Sequence, residues 1–400
     1  MSEERFPILI QPVYDKHLNW NGFNLALREG GSVSTSLFPQ LAEEWEGFAA
    51  LRQFVFFISL DSAWLNLEIP EIAFPASQVI FVLNKRQAQD GELLAKCRAL
   101  RGKGFRFAAH GHADDLPAHH ETAGIIIADA TTAKNTVPDS GWRKVAQSEA
   151  KLFATGIDSL ELFEWCAGKA FAFHAFASLE GFRNGKNKLQ GASRLTLMKL
   201  LTLVAQDAET HELELILRKE PKLSFDLLRL VNSASMGLRT KVSSFNHALT
   251  ILGRRQLQRW LQLLLFAQQN QADSGPSVLM QRAAARGRLM ELLTRGISAS
   301  PSLEFQEQAF MVGVFSLLGI LMDDALGNIL QSLRLADDIE AALLRRAGVL
   351  GEMLQLAECA ENFDFEETAS RLGKLNMAPE FFSLAQASAL GWTHRLNVSD

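Results

Sequence analysis

A change of hydrophobic period near residue 185 is the feature that most constrains how this 400-residue chain can fold. Before it, short β-like runs alternate with helical stretches such as GELLAKCRALR, residues 91–101. The predicted strands are Pro7 to Gln11, Phe54 to Leu60, Gln78 to Leu83, Phe105 to Ala109, Gly124 to Ala128, Lys151 to Ala154 and Ala170 to Phe173. Such repeated alternation is typical of parallel strands joined by crossover helices, and a barrel is their natural closure.

The second half of the chain carries a helical period throughout. Residues 178–193, SLEGFRNGKNKLQGAS, show neither a helical nor a strand period and are rich in Gly, Asn and Lys, which is typical of a linker. Beyond them, apolar residues recur at helical spacing over residues 195–204 and 339–356. The sequence therefore predicts two domains: an α/β barrel over residues 1–185 and an all-α domain over residues 190–400, with its core in residues 194–270.

Charge and hydropathy limit the partners of the chain. The formal net charge is −5, which disfavours a nucleic-acid binder. The longest apolar runs, Trp260 to Phe266 and Phe310 to Met322, are shorter than the roughly 20 residues that span a bilayer. The start MSEERFPILI lacks the basic segment and long apolar stretch of a secretory signal. We therefore expect a soluble, cytoplasmic protein without membrane contact.

The opening segment ILIQPVYDKHLNWNGFNLALR carries a family resemblance. It resembles the first two strands of EAL domains, which hydrolyse cyclic di-GMP, and in particular of EAL domains fused to HDOD domains. Gln11, Pro12 and Val13 match a strand that ends in Gln-Pro-Ile, and NLALR stands at the Glu-x-Leu-x-Arg signature of the next strand. The resemblance implies a TIM-like barrel of the EAL type, with Asn24 in place of the signature glutamate.

The EAL resemblance also locates the family's active-site positions. Hydrolysis in that family uses water held between two divalent cations, and such cations need several carboxylate ligands. In this chain the aligned positions carry side chains of other kinds: Asn24, Ser59, Phe81, His110, Gly111, Ile127, Thr155 and His174. Asp129 is kept. The resemblance with these replacements implies no bound metal, no cofactor and no catalysis in the first half.

Two features leave ligand binding open in the first half. Arg28 stands where the signature arginine of the EAL family contacts a phosphate of the dinucleotide, and the alternative is a surface or salt-bridged arginine. His110 and His112 would point the same way on a strand, as a metal site needs, with Asp114 and Asp115 nearby. The alternative is a pair of polar loop histidines, because no third ligand stands at a readable spacing.

The second half resembles the HDOD family, which is related to HD-type metal-dependent phosphohydrolases. The resemblance lies in residues 221–265, through RLVNSA at 229–234, Gly237-Leu238, VSS at 242–244, His247-Ala248 and Leu252-Gly253. The segment GVFSLLG, residues 313–319, stands at the Gly-x-x-His-Asp-x-Gly helix of those hydrolases. Ser316 and Leu317 replace its two ligands, so we expect no metal in this half either.

These observations lead to three hypotheses about function. We expect a regulatory protein that is not an enzyme, the inactive remnant of two hydrolases, which acts through contacts with other signalling proteins. The first alternative is a receptor that binds cyclic di-GMP without hydrolysis. The second is DNA binding through a helix-turn-helix in HALTILGRRQLQRWL, residues 247–261, which the net acidic charge and the broad apolar face of its second helix disfavour.

Overall fold

The computed structural model describes ten continuous stretches of the chain. These are residues 6–28, 54–59, 75–102, 104–111, 124–138, 140–142, 151–169, 171–181, 191–205 and 278–397, without 332 and 334, together with scattered positions between 208 and 263. Most of the segment that resembles the HDOD family, including most of the helix-turn-helix candidate, lies outside the described residues, as do His112, Asp114 and Asp115.

Eight strands close into a barrel in the order in which they follow along the chain. They are β1 (Leu9–Tyr14), β2 (Trp20–Ala26), β3 (Val55–Ser59), β4 (Val79–Leu83), β5 (Arg106–His110), β6 (Ile125–Asp129), β7 (Lys151–Ser159) and β8 (Phe171–Gly181). Strand β1 runs antiparallel to both β2 and β8, and the other neighbouring pairs are parallel. The predicted barrel is confirmed, and β2 is the strand that the EAL resemblance predicts and the hydrophobic pattern does not.

Apolar side chains fill the interior of the barrel. Alternate residues of a strand point to opposite faces, so each strand sends every second side chain inward. The ring of Phe57 lies 4.6 Å from that of Phe153 and 5.1 Å from that of Phe173, measured between centroids. The inward set forms one buried cluster of Val13, Phe57, Ile80, Val82, Ala108, Ile125, Ile127, Phe153, Phe173 and Ala175.

In the described part of the barrel, helices follow three of the strands and begin at side-chain caps. They are α1 (Gly91–Arg101), α2 (Ala130–Thr136) and α3 (Leu160–Gly168). Their first amides donate to the side chains of Asp90, Asp129 and Ser159 respectively, which satisfies N–H groups that have no partner inside the helix. Helix α1 coincides with the helical stretch predicted at residues 91–101.

The described residues from 191 onward contain helices and no strand, which confirms the predicted all-α half. The helices are α4 (Gly191–Ala205), α5 (Val278–Ile297), α6 (Leu303–Phe315), α7 (Leu318–Met322), α8 (Leu326–Leu330), α9 (Asp337–Arg345), α10 (Gly348–Glu361), α11 (Phe365–Lys374) and α12 (Pro379–Asn397). None of the helices in the described part of the chain is long and apolar enough to cross a membrane.

The chain forms two compact units that do not follow the sequence order strictly. The first unit consists of Met1–Phe182, Cys359–Ser370 and Ala378–Ala387, and the second of the remaining residues. The predicted limits of the two domains, 1–185 and 190–400, stay a prediction. The barrel unit thus includes parts of α11 and α12, which no local pattern of the sequence assigns to it.

Helix α12 is tied to β1 by buried hydrogen bonds. The amide of Ile8 donates to Ser383 Oγ at 2.9 Å, and the amide of Ile10 donates to Gln386 Oε1 at 3.3 Å. Gln386 Nε2 in turn donates to the carbonyl of Ile8 at 3.0 Å. Among the described residues, a single register pair, Tyr14 with His174, joins β1 to β8. The helix therefore supplies partners to backbone groups that a neighbouring strand would otherwise satisfy.

The substitution Gln386→Ala tests this tie. It leaves the amide of Ile10 and the carbonyl of Ile8 buried without these partners, so the free energy of unfolding should fall by about 1–3 kcal/mol. Differential scanning calorimetry of the full chain measures the loss in the transition that includes the barrel. Gln331→Ala, at an exposed position, is the control and should change the free energy by less than about 0.5 kcal/mol. Equal effects of the two substitutions would contradict the role given to Gln386.

Candidate functional site

A cavity of about 430 Å³ lies at the carboxyl ends of the parallel strands. The carboxyl-terminal face is where barrels of this kind place their ligand sites, because the loops there can vary without disturbing the strands. The cavity is lined by Gln11, Asn24, Ala26, Leu27, Ser59, Val82, His110, Ile127, Phe153, Thr155, Gly156, Ala175, Ala177, Glu361, Asn362, Phe363 and Phe365. Its volume suits a small-molecule ligand, for which sites span roughly 300–1000 Å³.

Five of the predicted site positions meet in this cavity. Ser59 and His110 are the last residues of β3 and β5, while Asn24, Ile127 and Thr155 lie on β2, β6 and β7. Gly111 lines a smaller adjoining cavity of about 180 Å³, to which His110 also contributes. Alignment to the EAL pattern therefore brings together residues that are up to 131 positions apart in sequence, from Asn24 to Thr155.

Two other predicted positions, Phe81 and His174, are not among the residues that line the cavity. Val82 holds the inward position of β4, so Phe81 points to the opposite face, where its ring lies 5.7 Å from that of Phe105. His174 is completely buried, and its Nδ1 lies 3.2 Å from the carbonyl oxygen of Tyr14. Burial lowers the pKa of His174 below the ordinary 6.5. These two residues serve the packing of the barrel wall.

The polar side chains of the cavity are partly held by the barrel itself. Gln11 lies opposite Asn24 across β1 and β2, and its Nε2 donates to the carbonyl of Phe176 at 2.6 Å. Thr155 Oγ1 donates to the carbonyl of Ala128 at 3.4 Å. These hydrogen bonds fix the orientation of the side chains, which is the kind of preorganisation that a binding site requires.

Asp129, the kept carboxylate, serves a helix end. Its Oδ1 accepts from the amide of Thr132 at 2.8 Å and so caps α2. Gly156 has a φ of 72°, and a Cβ at this position would lie 2.2 Å from Asp129 Oδ2. The lack of a side chain at residue 156 therefore gives the carboxylate its space, in a backbone conformation that glycine adopts without strain.

The protonation of His110 is set by its surroundings. Burial lowers its pKa below the ordinary 6.5, and the ammonium group of Lys85 lowers it further. Both effects disfavour the imidazolium, because charge is costly in a buried site and beside a like charge. His110 therefore enters the cavity as a neutral ring near pH 7, able to accept or donate one hydrogen bond at each nitrogen according to its tautomer.

Arg28 follows two residues that line the cavity, Ala26 and Leu27, and it forms an ion pair. Its guanidinium lies 2.5 Å from the carboxylate of Glu366, at the start of α11. The same guanidinium lies over the ring of Phe6, with Cζ 4.0 Å from the centroid. The arginine is one-third exposed, so both partners leave part of the fork open to the solvent.

In the helical unit, Ser316 and Leu317 have structural contacts. Ser316 Oγ donates to the carbonyl of Gly313 at 2.7 Å and accepts from Arg286 at 2.7 Å, at the end of α6. Leu317 is buried, with 3% of its surface exposed. Arg286 also lies 3.8 Å from Glu358, so the guanidinium contacts both a hydroxyl and a carboxylate.

The donor set of the described residues does not fit two divalent cations at the barrel mouth. Glu361 is the one carboxylate among the residues that line the cavity, and the other oxygen donors there are neutral. Within the described part of the chain, no three side chains of the His, Cys, Asp and Glu types form a group that could hold a metal ion. Hard cations such as Mg²⁺ prefer carboxylate oxygens.

The mouth segment, residues 361–366, is the part of the site that the sequence did not indicate. Glu361, Asn362, Phe363 and Phe365 line the cavity although they follow its other lining residues by more than 180 positions. The pattern DFEET predicts at most a helix start, because Asp364 can cap the helix that follows. No local sequence pattern predicts which part of the fold such a turn will contact.

Comparisons with known proteins place the chain beside cyclic di-GMP signalling proteins. The HDOD domain family model matches residues 194–345. The chain is 28% identical over 213 residues to the cyclic di-GMP phosphodiesterase CdgJ of Vibrio cholerae, which covers 53% of this chain and 48% of that protein. It is also 28% identical over 181 residues to the uncharacterized protein YuxH of Bacillus subtilis, which covers 45% of this chain and 43% of that protein. The matches span about half the length of these two relatives.

Two solved structures of EAL proteins match part of the chain. The cAMP-bound form of the EAL enzyme Bd1971 matches 43% of this chain and 62% of its own, at 11% identity and a TM-score of 0.34. The FimX EAL domain from Pseudomonas aeruginosa, bound to c-di-GMP, matches 44% of this chain and 90% of its own, at 15% identity and a TM-score of 0.31. The scores are too low to carry an argument about function.

One expectation from the sequence is wrong. We expected that the chain is not an enzyme but an inactive remnant of two hydrolases. The relative from Vibrio cholerae is named a cyclic di-GMP phosphodiesterase, and this finding points to an enzyme. The physical reason for the error is that we inferred inactivity from the residue types at aligned positions, and two of these, Phe81 and His174, do not line the cavity. That alignment could not decide activity.

A pH titration followed by NMR tests the surroundings of His110. Its pKa should lie below 6.5 in the folded protein, and Lys85→Met should raise it because a like charge is removed. Lys96→Met, on the outer helix α1, is the control and should leave the pKa of His110 unchanged. Because the pKa of His110 is lower in the folded state, the unfolded state binds the proton at a higher pH. The free energy of unfolding therefore falls as the pH drops below 6.5, and His110 does not change it above pH 6.5. A pKa above 6.5 would contradict the burial of this ring.

Proposed function

We propose that this chain is a cyclic di-GMP signalling protein whose barrel cavity binds the dinucleotide, with Arg28 as a phosphate contact. The observation that carries the proposal is the cavity itself, where Asn24, Ser59, His110 and Thr155 converge at the carboxyl ends of the strands. The similarity of this chain to the cyclic di-GMP phosphodiesterase of Vibrio cholerae also supports the proposal.

The chemistry of the lining suits a nucleotide. Neutral amides, hydroxyls and an imidazole can pair with the edges of a base, while Phe153 on the barrel wall offers apolar area on which a base can pack. Arg28, directly after the lining residue Leu27, can bind a phosphate through two parallel hydrogen bonds. The partial exposure of its guanidinium leaves it accessible to a ligand that enters from the mouth.

Isothermal titration calorimetry with cyclic di-GMP tests the proposal. The full chain should bind the nucleotide, and Arg28→Ala should weaken binding about tenfold or more, because a hydrogen bond to a charged group is worth about 1.5–3 kcal/mol. Arg98→Ala is the matched control, since it removes the same charge from an exposed position on α1. The proposal fails if no binding is detected at high micromolar nucleotide, or if Arg98→Ala weakens binding as much as Arg28→Ala does.

Hydrolysis of the bound nucleotide is a second candidate, and it is favoured by the name of the Vibrio cholerae relative. In this reaction water adds across one phosphodiester bond and opens the ring to a linear dinucleotide. Incubation of the full chain with cyclic di-GMP and Mg²⁺ or Mn²⁺, followed by chromatography, detects that product. Its formation would establish turnover, and its absence at high protein concentration would eliminate this candidate. Contact with other signalling proteins stays a prediction.

A further inference from the structure

The mouth segment is a turn with a defined structure at the edge of the cavity. Phe363 has a φ of 56°, a left-handed conformation that is uncommon for a residue with a side chain. Its amide donates to the carbonyl of Ala360 at 3.1 Å, and the amide of Asp364 donates to that of Cys359 at 3.0 Å. Asp364 Oδ1 then accepts from the amide of Glu367 at 3.0 Å and starts α11. These bonds hold the turn against its backbone preference.

The turn brings an anion to the arginine that we assign to phosphate binding. Glu366 directly follows Phe365, which lines the cavity, and its carboxylate lies 2.5 Å from the guanidinium of Arg28. A carboxylate and a phosphate present the same pair of acceptor oxygens to a guanidinium fork. Glu366 and a phosphate therefore compete for the same donors, and the first turn of α11 places the carboxylate in that position before any ligand arrives.

We propose that the mouth segment is an autoinhibitory cover of the cavity, in which Glu366 occupies Arg28 and must be displaced by a phosphate of the ligand. This inference rests on the proposed function, because it takes Arg28 as the phosphate contact. Ligand binding and closure of the segment are then linked. A change that favours the closed segment lowers the affinity for the ligand, and the bound ligand favours the open segment.

The magnitude of the competition follows from the exposure of the pair. The side chain of Glu366 is 73% exposed, so the ion pair is screened by water and salt. Removal of the carboxylate should therefore raise the affinity for the nucleotide roughly two- to fivefold, which is the range that an exposed ion pair supplies. The gain should shrink as the salt concentration rises, because screening already weakens the pair in the wild type.

Calorimetry measures this change in affinity for cyclic di-GMP. The full chain is titrated at low salt, and Glu366→Gln is the test variant. Glu367→Gln is the matched control, because it removes the same charge from the same helical turn and leaves the pair between Arg28 and Glu366 intact. Glu366→Gln should bind two- to fivefold more tightly than the wild type, and Glu367→Gln should bind as the wild type does. In the Arg28→Ala background, Glu366→Gln should have no effect.

Hydrogen exchange of the full chain gives a second readout that does not depend on any variant. Saturating cyclic di-GMP should speed exchange at the amides of residues 361–368, because the ligand opens the turn. Slower or unchanged exchange there, with binding observed, would overturn the autoinhibitory role.

The outcomes separate the two proposals. If the nucleotide binds and Glu366→Gln equals Glu367→Gln, the inference fails while the proposed function stands. If Glu366→Gln improves binding equally in the Arg28→Ala background, Glu366 acts through general repulsion and the inference fails as well. If neither the wild type nor Glu366→Gln binds the nucleotide, both proposals are wrong. Binding by Glu366→Gln that exceeds that of the wild type supports both.

Discussion

The buried hydrogen bonds between β1 and α12 are the constraint on which the barrel unit depends. Strand β1 runs against both of its neighbours in the antiparallel sense, yet one register pair joins it to β8 among the described residues. The amides of Ile8 and Ile10 instead donate to side chains of α12, 375 and 376 positions away in sequence. Because buried backbone groups without partners are costly, these contacts with α12 stabilise the barrel unit.

This constraint also explains the composition of the site. With parts of α11 and α12 belonging to the barrel unit, the turn between α10 and α11 reaches the carboxyl face of the strands and contributes the mouth segment to the cavity. The same placement pairs Glu366 with Arg28. The cavity therefore combines strand ends, which the barrel fixes, with a turn whose closing ion pair is exposed to solvent and so is weak enough for an anionic ligand to displace.

The sequence predicted those parts of the structure that local periodicity specifies. Short β-like runs located seven strands, and the helical pattern of residues 91–101 located helix α1. Asn24, Ser59, His110, Ile127 and Thr155 meet in the cavity because strand ends of a parallel barrel share one face. The alignment selected Phe81 as the site residue of β4, although Val82 is the residue that points inward. The sequence could not distinguish the two, because both neighbours are apolar. The sequence did not predict the mouth segment, because a contact such as that between Arg28 and Glu366, more than 300 positions apart, leaves no local pattern.

We propose that Arg28 alternates between a carboxylate of the chain and a phosphate of its ligand. A crystal structure of the full chain with cyclic di-GMP tests it most directly. We expect the nucleotide in the barrel cavity, a phosphate oxygen on the guanidinium of Arg28, and the carboxylate of Glu366 displaced from its 2.5 Å contact. A bound nucleotide with the pair between Arg28 and Glu366 still intact would contradict it.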